Sequence, residues 1–171
     1  MSAPEQFPRQ LGKGMITIAW LLLLGLLYLV FSGLLENQHN PNSSVNTISG
    51  PTSEKIVRLK MNRSGHYLAT GYINNKRVKF LVDTGATDVA VSERLANRLG
   101  LEKMASTISQ TANGKTRSYV TFLDSVRIGD IELTNVRASI LRGLGDEVLL
   151  GMSFLKHLEI QQRNNTLTLI Q

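Results

Sequence analysis

The residues with the clearest capacity for chemistry lie together in 79–92, KFLVDTGATDVAVS. The apolar run Phe80-Leu81-Val82 leads into Asp83-Thr84-Gly85-Ala86-Thr87, and apolar character resumes at Val89, Ala90 and Val91. A carboxylate set between hydrophobic segments is expected to be partly buried, and a charge in that setting needs partners or a task. Gly85 removes the side chain that would keep backbone amides away from Asp83. The expectation is an acid held in a dry, hydrogen-bonded loop. Asp-Thr-Gly is also an ordinary strand-ending turn, because Asp bonds its own backbone and Gly accepts positive φ. The hydrophobic flanks argue against a surface turn, and so does a second apolar run ending in glycine, Val148-Leu149-Leu150-Gly151.

On FLVDTGAT (80–87), on LLGMSFL (149–155) and on the order of elements between them, residues 56–171 resemble the retropepsin-like aspartic proteases, specifically the membrane-anchored bacterial members. The resemblance implies that Asp83 is the catalytic carboxylate and that the Thr84 hydroxyl reaches across a dimer axis. It implies too that the Gly85 amide faces the carboxylates and that Ala86 and Thr87 line a substrate groove. There is one departure. Retroviral members usually follow the apolar-Gly pair with Arg, which pairs with an Asp in the motif's fifth position. Here Met152 follows Gly151 and Thr87 takes the fifth place, so that ion pair is absent. Asp88 is then either a groove-lining acid or a solvated one.

The chain holds one Asp-Thr-Gly triplet. Peptide hydrolysis without a metal or a covalent nucleophile requires one carboxylate to take a proton from water while another donates one to the carbonyl oxygen or the leaving amine. Two carboxyls about 3 Å apart cannot both ionise, so they share a proton and supply both roles. With one per chain, the second comes from another copy. The expected unit is a homodimer with an isologous interface, in which Leu149, Leu150 and Gly151 pack under each Asp83 loop. By resemblance, the C-terminal segment TLTLIQ supplies intermolecular strands.

The elements that must position this loop are mainly strands. Residues 55–61 alternate in character; 66–73 and 77–82 read as a hairpin around Asn74-Asn75, whose second arm delivers Asp83. Ser92 is an N-cap, Leu95, Ala96 and Leu99 share a helical face, and Gly100 closes that short helix. In 107–122, Asn113-Gly114 marks a hairpin with polar arms. By resemblance it takes the place of the flap over bound peptide, with Ala112, Asn113, Gly114 and Lys115 at its tip; otherwise it is a plain exposed hairpin. Residues 122–128 and 131–140 pair around Gly129-Asp130, and two last strands flank Arg163-Asn164-Asn165. The fold expected is mainly β, a retropepsin-like closed β-barrel of a single lobe with one short helix, over residues 56–171.

Upstream, residues 15–35 run without a charge, MITIAWLLLLGLLYLVFSGLL. At about 1.5 Å per residue they reach the roughly 30 Å of a bilayer core. The run exceeds the h-region of a cleaved signal peptide and no Ala-x-Ala site follows, so a transmembrane signal anchor is expected. Arg9 and Lys13 precede it, whereas the first basic residue after it is Lys55. The positive-inside rule therefore places residues 1–14 in the cytoplasm and the barrel outside, in the periplasm of a Gram-negative inner membrane. Residues 36–55, rich in Asn, Ser, Pro and Gly, read as a flexible linker.

Composition excludes several classes. Without cysteine there are no disulfides or thiolate metal sites, and His39, His66 and His157 lack metal-ligand spacing; no metal and no cofactor are expected. Nineteen Lys and Arg against 13 acids give a net charge of +6, but the basic residues form no run and no aromatic residues interleave with them, which argues against nucleic acid. The glycines of 142–147, RGLGDE, do not match a P-loop. The expected activity is that of an aspartic endopeptidase acting on extended peptides or proteins. The alternative is a non-catalytic, membrane-tethered module that binds peptide by strand addition.

Overall fold

The computed structural model describes residues 7–50, 53–111 and 114–171, and the chain divides into two units, Met1–Asn37 and Gln38–Gln171. Helix α1 (Phe7–His39) makes up the described part of the first unit and ends just inside the second. Its stretch Gly14–His39 has a mean hydropathy of 2.4 over 26 residues, long and apolar enough to cross a membrane. Leucines and aromatic residues all along this stretch are exposed, an arrangement that is costly in water and neutral in hydrocarbon. Such a helix near the N-terminus fits a membrane anchor or a signal sequence.

The second unit is mainly β. Its strands are β1 (Thr47–Ser49), β2 (Lys55–Lys60), β3 (Leu68–Ile73), β4 (Lys76–Val82), β5 (Val89–Ser92), β6 (Ser106–Thr111), β7 (Gly114–Ile128), β8 (Ile131–Leu141), β9 (Val148–Leu150), β10 (Glu159–Arg163) and β11 (Thr166–Ile170). Two short helices, α2 (Glu93–Leu99) and the single turn α3 (Met152–Leu155), complete it. Asn74-Asn75 and Asn164-Asn165 turn the β3–β4 and β10–β11 hairpins with both residues at positive φ, between 47° and 62°, the left-handed backbone that two-residue hairpin loops require.

One sheet runs β3-β4-β9-β5-β8-β7-β6, and β7 also pairs with β3 through Tyr72↔Arg127 and Ile73↔Val126, so the strand order closes on itself. Gly71 permits the closure: a Cβ there would lie 2.4 Å from the Arg127 carbonyl oxygen and 2.7 Å from the Phe80 ring. Inside sit Phe80, Leu123, Ile128, Ile131, Ile140 and Leu150, all at most 1% exposed. A second, four-stranded sheet, β1-β2-β11-β10, covers this core with Val57, Leu59, Leu167 and Leu169. The period-2 burial of β2 and β11 is what one buried sheet face demands.

Two expectations are corrected here. The C-terminal strand was expected to pair with a second copy, yet β11 has β2 on one edge and β10 on the other, both from its own chain. Residues 36–55 were expected to be a flexible linker. Instead α1 continues through His39, Asn40 and Asn42 are buried, and β1 pairs with β2. The Asn42 amide substitutes for backbone between two strands: it donates to Lys60 O (2.9 Å) and Leu68 O (2.6 Å) and accepts from Lys60 N (2.7 Å). Asn40 accepts from Asn42 N and donates to Thr70 Oγ1. Composition marks such a stretch as polar, but a buried asparagine is stable where every donor and acceptor is met.

Candidate active site

The loop 83–88 connects β4 to β5, and β9 inserts between these two strands. It runs parallel to β4 (Val82↔Leu150) and antiparallel to β5 (Ala90↔Leu149). The two apolar segments singled out in the sequence are thus hydrogen-bonded neighbours. Asp83 N donates to Leu150 O (3.2 Å), while Gly85 N donates to Asp83 Oδ1 (2.9 Å) and Ala86 N to Asp83 O (3.2 Å). From the far side, Met152 N and Ser153 N at the start of α3 donate to Ala86 O (2.8 Å) and Thr87 O (2.9 Å). Gly151 makes this approach possible, because a Cβ there would lie 2.2 Å from Asp88 O and 2.7 Å from Ala86 O.

The tip of the loop is open. Thr84, Gly85 and Thr87 are exposed, and Asp83 and Ala86 are half-buried. The dry surroundings expected for the acid are not seen among the described residues: apolar flanks bury the strands on either side, but the turn between them stays open. The Thr84 hydroxyl, likewise, has no hydrogen bond among the described residues.

Asp88 is not a solvated acid: it lies at the edge of a cavity and is held there by β8. Its side chain is 17% exposed, and Oδ2 accepts from Arg137 Nε (3.3 Å) and Ser139 Oγ (3.0 Å) on β8. Ser153 Oγ donates to Arg137 O (2.8 Å) and accepts from Val89 N (2.9 Å). These residues escape sequence reasoning. Arg137 and Ser139 alternate on one face of a strand, a signal that names the face without saying which loop it meets. A cavity of about 540 Å³ opens beside them and reaches the loop at Thr87 and Asp88.

The hairpin with polar arms is β6–β7, in register from Ser106↔Tyr119 to Thr111↔Gly114. Ala112 and Asn113, expected at its tip, lie outside the described residues; Gly114 opens β7 and Lys115, exposed, pairs with Gln110. The loop 142–147 before β9 is tied to α2, with Arg142 bonded to Glu93 (3.1 Å) and Asp146 to Arg94. Lys103 also bonds Glu93, and this contact, with Arg142, holds the Glu93 carboxyl below its ordinary range. Among the described residues, no three His, Cys, Asp or Glu side chains gather where a metal ion could be held.

The gag-polyprotein putative aspartyl protease family matches residues 69–157. A retropepsin-like aspartic protease from Rickettsia conorii, known from a crystal structure, is 30% identical, with a TM-score of 0.56 and coverage of 74% of this chain and 94% of that one. An uncharacterized protein encoded in the cobV 5' region of a Sinorhizobium species is 35% identical over 122 residues, 68% of this chain and 52% of its own. One from Rickettsia prowazekii is 39% identical over 109 residues, 61% of this chain and 47% of its own. The chain spans about half the length of these two relatives. It belongs to the retropepsin-like aspartic protease family.

Proposed function

We propose that the chain is a membrane-anchored aspartic endopeptidase whose working unit is a homodimer, with the two Asp83 carboxyls meeting on the two-fold axis. The observation that carries this reading is a single Asp-Thr-Gly loop, held by β9 and α3 behind and uncovered in front. A second copy supplies the cover and the second carboxyl together. Thr84, exposed beside Asp83, bonds the opposite loop through its hydroxyl, and the Gly85 amide keeps Asp83 Oδ1 oriented.

Water between the carboxyls gives a proton to the ionised one as its oxygen attacks the scissile carbonyl carbon. The protonated one donates to the carbonyl oxygen. Collapse of the tetrahedral species breaks the C–N bond, and the amine leaves with a proton from the pair. Ala86 and Thr87 line the groove, β6–β7 closes over the bound strand with Ala112–Lys115 at its tip, and α1 anchors the unit with the barrel on the periplasmic side of an inner membrane.

The test is a peptide-library digest by the full chain in detergent or nanodiscs, wild type beside Asp83→Asn, from acidic to neutral pH. Cleavage that disappears in Asp83→Asn while the circular dichroism spectrum is unchanged is the expected result. Equal cleavage by both proteins would leave the binding module as the better account.

A further inference from the structure

We infer that Asp88, clamped by Arg137 and Ser139, is a positioning residue that sets where the Asp83 carboxylate stands; this rests on the proposed endopeptidase activity. Asp83 Oδ1 is held by the Gly85 amide, a group of the same loop. Its place in the molecule is therefore inherited from the loop as a whole. The loop's backbone is fixed at Asp83, Ala86 and Thr87. Among the described residues, the only loop side chain bonded to another element is that of Asp88, which reaches β8 through two donors on one oxygen.

The same strand is gripped a second time, since Ser153 Oγ joins Arg137 O to Val89 N, the residue after Asp88. Arg137 thus holds the loop's end by its side chain and, through Ser153, by its backbone. A charged acceptor with two donors on a largely buried side chain is a stronger restraint than a neutral bond, and displacement of a reacting group by about 1 Å costs on the order of a hundredfold in rate.

The experiment measures kcat and KM of the full chain in nanodiscs on a quenched fluorescent peptide selected by wild-type cleavage. Asp88→Asn and Arg137→Gln should each lower kcat by roughly tenfold to a hundredfold, with KM within about twofold and an unchanged circular dichroism spectrum. The double variant should be no slower than the slower single one, because both changes break one interaction. Glu159→Gln, an exposed acid on β10 in the four-stranded sheet, should match wild type. A kcat for Asp88→Asn within about twofold of wild type, or losses that multiply in the double variant, overturns the inference, while an inactive Asp83→Asn keeps the proposed activity standing. If Asp83→Asn itself stays active, the endopeptidase reading fails and this inference with it. Should Asp88→Asn not fold, Ser139→Ala, which removes one of the two bonds, decides instead: a folded Ser139→Ala with wild-type kcat overturns it.

Discussion

At the scale of single residues, the geometry of the Asp83 loop depends on close backbone approach. Gly151 is the clearest case. Any side chain there meets the carbonyl oxygens of Asp88 and Ala86, which are backbone and cannot swing aside. Gly151→Ala should destabilise the barrel by about 3 kcal/mol, read as a fall in the thermal unfolding midpoint, and should cut hydrolysis further than the loss of folded protein accounts for. A midpoint equal to wild type would mean that the loop and α3 are not held as closely as described. The turn at Asp83 and Gly85 and its packing against the segment ending in Gly151 were legible in the sequence, because these residues announce themselves through type and spacing. Arg137 and Ser153 were not, since their partners lie 49 and 64 residues away along the chain.

Elements separate into those written in local chemistry and those fixed by remote contacts. Helix α2 is of the first kind: Ser92 Oγ accepts from Leu95 N (3.2 Å), Gly100 ends it, and Leu95, Ala96 and Leu99 are buried. The Asn-Asn hairpins are too. The segment that ends in β1 is of the second kind, because its order comes from Asn42 meeting groups on β2 and β3. Asn42→Ala strands the Lys60 N–H and the carbonyls of Lys60 and Leu68. It should cost roughly 2–4 kcal/mol, measured by urea unfolding of the detergent-solubilised chain; a loss below about 0.5 kcal/mol would return this segment to the status of a tether. The link from α2 to the loop 142–147 is electrostatic and carries a pH signature. The Glu93 carboxyl is held below its ordinary value of 4.5, first by the bond from Lys103. A carboxyl whose folded pKa is depressed contributes stability above its unfolded pKa, and that contribution fades as pH falls through the folded value. Glu93→Gln should therefore lower the thermal midpoint at neutral pH, and the gap from wild type should close as the pH falls from 4.5 through the lower folded value. A gap independent of pH would assign the effect to packing.

For the whole molecule, the family and the mainly β barrel followed from the strand pattern and two short motifs. The sheet that uses up its own C-terminal strand did not. Alternating apolar residues in 166–170 say that one face is buried, and nothing in them says whether the neighbouring strands belong to the same chain. If two copies share one site, an inactive copy should poison the active one. Titrating Asp83→Asn into wild type at fixed wild-type amount, in one detergent preparation, should reduce hydrolysis toward zero as mixed pairs replace active ones. Activity that stays constant across a tenfold excess would show that a single chain suffices.

Because β11 already has a strand on either side, a newly made chain can complete its own architecture without a neighbour. If the working unit is the proposed pair, each such chain folds complete yet carries half a site, and hydrolysis by dilute, mostly unpaired chains should rise with the square of their concentration.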